Sequence, residues 1–138
     1  MGIRVPIEVR YRERSVKTSA LANSGYESDE PEIHIPLALA KRLGFSLEAL
    51  KSERYRAIGI EIPTYVLGYV EVRIVVEDRV SDWVRARAVM VPNEYEVILS
   101  DALIESLGIE LVRPRSGLWR FRDETKTRSS LEPQYWID

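Results

Sequence analysis

A chain of 138 residues that is 45% hydrophobic can bury one ordinary core without covalent staples, and a single folded domain is the expectation. Its 20 basic and 22 acidic residues leave a formal net charge of -2, which gives no bulk attraction to nucleic acid or an anionic membrane. The absence of cysteine excludes disulfides, thiolate nucleophiles and cysteine-based zinc sites, and a single histidine excludes zinc hydrolases of the His-Glu-x-x-His kind.

Residues Met1–Arg10 mix charges into their apolar positions, and no run of about 18 apolar residues occurs. Neither a signal peptide nor a membrane span is expected, and a cytoplasmic location fits. Ile3, Val5, Ile7 and Val9 alternate with polar residues or proline, the period of a strand with one buried face. Pro6 marks that strand as an edge strand or a strand end. Arg12–Ser15 turns the chain into a second strand, Val16–Ala22, which delivers Asn23, Ser24 and Gly25 at its end. Gly25 can take backbone angles forbidden to other residues, and Ser24 offers a hydroxyl.

An acidic segment follows, with Glu27, Asp29, Glu30 and Glu32, which lacks the glycine and spacing of a calcium loop and reads as solvated. His34 is read as a structural side chain. Pro36 opens and Gly44 closes a short helix over Leu37–Leu43, with Leu39 and Leu43 one turn apart. Ser46 is placed to cap a further short turn through Leu50. Tyr55–Leu67 is expected to form a hairpin with its tip near Gly59–Pro63, and Val70–Val76, a turn at Glu77–Arg79 and Val84–Met90 form a meander. A buried run, Val97–Leu99, stops at Ser100, a good N-cap. Asp101 favours the helix start and Gly108 its end. Gly117–Phe121 reads as a last strand, Asp123–Ser130 as a mobile polar stretch, and Tyr135 and Trp136 as an aromatic end that docks on the protein or on a second subunit.

Three segments together resemble the retropepsin-like aspartic proteases of the cellular, non-viral kind. Ala20-Leu21-Ala22-Asn23-Ser24-Gly25 is similar to the apolar lead into Asp-(Thr/Ser)-Gly, with Asn23 at the aspartate position. Ala40–Gly44 matches Ala-x-x-Leu-Gly. Val97–Leu103 is similar to the late apolar-apolar-Gly-x-Asp-x-Leu segment, except that Ser100 directly precedes Asp101 where a glycine and a spacer are usual. The resemblance spans Ile3 to Phe121. It implies a mainly β, closed retropepsin-like barrel (the acid protease fold) with a flap hairpin and two short helices over residues 1–122, followed by a polar tail over 123–138. It also implies a homodimer in which the Asn23, Ser24 and Gly25 loops of two copies meet beneath a flap made of Ile58, Gly59, Ile60, Glu61, Ile62 and Pro63.

In that family two aspartates share a proton, one activating water while the other acts as acid. An amide can do neither. The resemblance with Asn23 therefore implies a non-hydrolysing protein that binds peptide or protein at the dimer cleft. The alternative is an active endopeptidase in which Asn23 is an engineered replacement or an Asp-bearing subunit completes the pair. A third reading is nucleic-acid binding by the arginines, which make up all the basic residues except Lys17, Lys41, Lys51 and Lys126, with Arg85 and Arg87 on one strand. Their even mixing with acids argues against it. No phosphate-binding glycine loop occurs, and no metal or other cofactor is expected.

Overall fold

A computed structural model describes residues 2–47, 51–57 and 60–137, with 51–57 and 60–62 described through their backbone alone. In chain order the elements are β1 (Ile3–Tyr11), β2 (Arg14–Ala22), β3 (Glu32–His34), α1 (Leu37–Leu43), β4 (Lys51–Ala57), β5 (Ile60–Val76), β6 (Arg79–Val80), β7 (Val84–Met90), β8 (Val97–Leu99), α2 (Asp101–Ser106), β9 (Ile109–Arg113), β10 (Leu118–Phe121) and β11 (Arg128–Ser129). The protein is mainly β. Six strands close a barrel in the order β1-β2-β8-β3-β7-β5, with β5 returning to β1 through the pairs Ile7 with Ile74 and Arg10 with Glu71.

The alternation in β1 does what its period requires. Ile3, Val5, Ile7 and Val9 point inward and are at most 2% exposed, meeting Val70, Val72 and Ile74 of β5 in the core. The outward residues pair across the β1–β5 seam, Glu8 with Arg73 at 2.7 Å and Arg10 with Glu71 at 2.9 Å. The indole of Trp83 packs against both guanidinium groups, 4.0 Å from that of Arg10 and 4.3 Å from that of Arg73. These partly exposed pairs contribute little each, on the order of 1 kcal/mol or less.

β1 is an edge at Pro6 only in part, since β5 closes its second side from Ile7 onward. It pairs with β2 along its whole length and with β5 over Ile7–Arg10. Pro6 is tolerated because the β5 ladder begins only after it, so no partner calls on the missing N–H.

The expected hairpin strand and the meander strand are one element. β5 runs for 17 residues and bends where its register against β7 shifts between Val66 and Gly68, Gly68 having φ of 135°. Only glycine takes that angle at low cost, so it absorbs the bend and keeps both halves hydrogen-bonded. β7 meets β5 from Val72 only as far as Tyr65, whereas β4 meets it from Val66 out to Ile60. Among the described residues, Ile60–Thr64 pair with β4 alone, as a two-stranded arm leaving the barrel.

Both expected helices form. α1 buries Leu39, Ala40 and Leu43, and Gly44 ends it in the left-handed region, its N–H donating to Lys41 O and the next N–H, of Phe45, to Ala40 O. α2 begins at Ser100, whose hydroxyl accepts from Leu103 N. The turn expected at Ser46–Leu50 runs into residues 48–50, outside the described ones.

Beyond α2 stands a three-stranded sheet, β11-β10-β9, which buries Trp119 and Phe121. Asp123–Ser130, expected to be mobile, contributes Arg128 and Ser129 to it as β11. Arg128 and Ser129 pair with Trp119 and Leu118, and Arg128 reaches Asp78 at 2.6 Å and Glu124 at 3.1 Å. The reason is long-range charge, since the carboxylate that fixes Arg128 comes from the turn after β5. The aromatic end docks on this chain's own barrel, where Trp136 N–H donates to Tyr95 O at 2.8 Å. No helix among the described residues is long and apolar enough to cross a membrane.

Candidate functional site

β2 and β8 run parallel, Ala22 level with Leu99, and the chain leaves the barrel at both strand ends side by side. Asn23 follows β2. Its N–H donates to Leu99 O at 3.2 Å, its backbone O accepts from Tyr26 N at 3.0 Å, and its side-chain Oδ1 accepts from Gly25 N at 3.0 Å. The last bond is an Asx turn, the local closure that Asn and Asp side chains favour. Among the described residues the Asn23 Nδ2 group has no hydrogen-bond partner, and Asn23, Ser24 and Gly25 are all exposed. Gly25 is not in the left-handed region. Its lack of a side chain matters for space, because a Cβ there would come within 3.2 Å of Asn23 Oδ1.

The rest of the loop is tied to the end of β8. Asp101 N donates to Tyr26 O at 2.8 Å, and Asp101 Oδ1 accepts from Ser28 N at 3.1 Å and Ala102 N at 2.7 Å. Ser100, wholly buried, exchanges bonds with Glu32: Ser100 N donates to Glu32 O and Glu32 N to Ser100 Oγ, both at 3.0 Å. The buried Glu32 carboxylate accepts from Tyr26 Oη and, at 3.1 Å, from Arg87. Sequence reasoning placed Ser100 only as a helix cap and Glu32 only in a solvated run. The helix-start pattern gives the first, but nothing local shows that β3 carries Glu32 inside.

An open groove of 730 Å³ begins at Ser24 and Ser28 and continues past Asp101 and Glu105 to Ile109 and Leu111. Of the expected flap residues, Ile60, Glu61, Ile62 and Pro63 stand in β5 opposite Ala57, Arg56, Tyr55 and Arg54, so Pro63 is a ladder position. Ile58 and Gly59 lie outside the described residues. The arm springs from β5 and the Asn23 loop from β2; around the barrel β1 separates them on one side and β8, β3 and β7 on the other.

The chemistry at the loop is that of hydrogen bonds. Asn23 does not titrate, while Asp101 and Glu32 hold the loop to α2 and β7. His34 is buried at 3% exposure, with Nδ1 2.9 Å from Glu96 O, and burial lowers its pKa from the ordinary 6.5. The carbonyl requires an N–H at Nδ1, and burial disfavours a second proton on the ring. The arginines are largely engaged: besides the pairs above, Arg4 meets Glu96 at 2.7 Å, Arg79 meets Asp123 at 2.7 Å, and Arg85 lies 3.9 Å over the Tyr69 ring. Guanidinium groups so paired do not form a basic stripe. Among the described residues no group of three or more acidic or histidine side chains is arranged to hold a metal ion.

No protein-family model matches the chain, and no curated protein matches its sequence.

Proposed function

We propose that this chain is a non-hydrolysing protein of retropepsin-like fold that binds peptide or protein segments at a cleft shared by two copies. The observation that carries the reading is the state of Asn23, exposed at the end of a barrel strand, with Oδ1 closing the turn on Gly25 N and Nδ2 left to bond outward. Two carboxylates brought together at such a loop must share a proton, whereas two amides need none, since each Nδ2–H donates to the other's oxygen. Asn23 thus suits a permanent, pH-indifferent contact between copies and gives up acid–base chemistry. The closed barrel, the two short helices and the projecting β4–β5 arm support the same reading.

A second reading has its own support. The turn uses Asn23 only as an acceptor at Oδ1, a role that a carboxylate fills equally well, so an aspartate at this position would keep the loop intact. The same scaffold with Asp at residue 23, or with an Asp-bearing partner subunit, would be an aspartic endopeptidase.

Cleavage of a mixed peptide pool at pH 4 to 7 by the native chain and by Asn23→Asp, with sedimentation of both, tests the proposal. Dimers of the native chain that cleave nothing, together with cleavage by Asn23→Asp, are expected. Cleavage by the native chain would overturn the non-hydrolysing reading, and a strict monomer at high concentration would overturn the shared cleft.

A further inference from the structure

The first half of β1 has one open side, because β5 pairs only from Ile7 onward. The C-terminal segment lies on it. Arg4 N donates to Ser130 Oγ at 2.7 Å and Leu131 N to Arg4 O at 2.8 Å, the pattern of an extended peptide adding to a sheet edge. The segment then crosses to β2, where Gln134 Oε1 accepts from Thr18 Oγ1 at 3.1 Å and Ser19 N at 3.4 Å, and Trp136 Nε1 donates to Thr18 Oγ1 at 3.0 Å.

This seat is built more fully than its occupant fills it. With the segment in place Thr18 and Ser19 are 6% and 5% exposed, yet Ser19 Oγ is left buried without a hydrogen-bond partner. An open groove of 450 Å³ remains between the segment and the wall, lined by Pro6, Thr18, Ser19, Val75, Pro133 and Gln134. The segment gives the barrel little in return. Leu131, Tyr135 and Ile137 are 43%, 59% and 73% exposed, and only Trp136 packs partly against the core. Polar anchors with few buried apolar contacts place the segment among the parts that open most readily.

We infer that the seat on Arg4, Thr18 and Ser19 is a peptide-binding site that the chain's own C-terminal segment closes in cis, and that its occupant in trans is the same segment of a second copy. Every copy carries the sequence the seat already fits, so an exchanged segment makes on the partner the bonds it makes in cis. This does not depend on the Asn23 cleft.

The test is fluorescence anisotropy of a labelled peptide with the sequence of residues 130–138, titrated with full-length protein. Trp136→Ala frees the seat without altering it, and apparent affinity rises with the fraction of open seats, so about tenfold tighter binding than to the native chain is expected. Adding Thr18→Val to that variant should return binding to the native level or below. Should Trp136→Ala fail to fold, Gln134→Ala loosens the same segment from a surface position and is read in the same way. Peptide binding no tighter to the loosened variants than to the native chain, or unaffected by Thr18→Val, would overturn the proposal and leave the segment a plain internal brace.

Discussion

The ends of β2 and β8 lie side by side and look alike in sequence, each an apolar triplet running into a short polar group, Ala20-Leu21-Ala22 into Asn23-Ser24 and Val97-Ile98-Leu99 into Ser100-Asp101. One end is exposed and bonds mainly within itself. The other is buried and bonds to three separate parts of the chain: α2, β3 and the loop before β3. The difference teaches that the polar residue type does not set the role. Burial does, because an inaccessible donor without an acceptor costs far more than an exposed one, which water satisfies.

The sharpest way to break that comparison is Ser100→Ala. Ser100 Oγ accepts from both Glu32 N and Leu103 N. The loss leaves one helix cap unmade and two buried N–H groups unpaired, about 2 to 3 kcal/mol in chemical denaturation. A change under about 0.5 kcal/mol would mean that the two strand ends are energetically alike.

His34 extends the contrast, since it stands opposite Ile98 on the face away from the core and is nonetheless buried. Burial lowers its folded-state pKa from 6.5, so in acid the unfolded chain takes up a proton that the native ring resists. Stability is therefore unaffected by this group well above pH 6.5 and falls as the pH drops below it, with a slope of at most about 1.4 kcal/mol per pH unit. Melts of His34→Gln across this range should have a flatter pH dependence between pH 6.5 and 5; an unchanged slope would place the acid sensitivity elsewhere.

At the exposed end, Asn23→Ala removes only the turn bond to Gly25 and should cost about 0.5 to 1 kcal/mol. Asn23→Asp keeps that bond and should move stability at pH 7 by less than about 0.5 kcal/mol. If Asn23 meets its copy, however, Asn23→Asp makes dimer sedimentation depend on pH, with weaker association as both carboxylates ionise, while the native dimer stays indifferent. Equal pH dependence of the two would separate Asn23 from any contact between copies. Ser24→Ala, at an exposed position with no described bond, should be the mildest, within about 0.5 kcal/mol.

Much of the fold was legible in local pattern. β1 shows its buried face through strict alternation, α1 shows its bounds through Pro36 and Gly44, and α2 shows its start through Ser100, because period and caps are properties of neighbouring residues. The joining of two expected strands into β5 was hidden by Gly68, which reads as a break and serves as a bend. β9 was missed because Ile109–Arg113 is short and follows directly on the glycine that closes α2. At the candidate site the Asn-Ser-Gly turn and its place at a strand end were readable, whereas the carboxylate and hydroxyl that hold it, Glu32 and Ser100, were not.

By itself, then, the sequence determined where β1, β2, β7, β8 and the two helices lie, which face of β1 turns inward, and that residue 23 carries an amide instead of an acid. Only the tertiary structure decided that β8 inserts between β2 and β3, that Ser100 and Glu32 are thereby buried against one another, and that a polar C-terminal stretch joins a sheet and then lies across β1 and β2. Alternation and capping act over a few residues of one segment. Strand order and burial depend on partners brought together from far along the chain, and no local pattern names them.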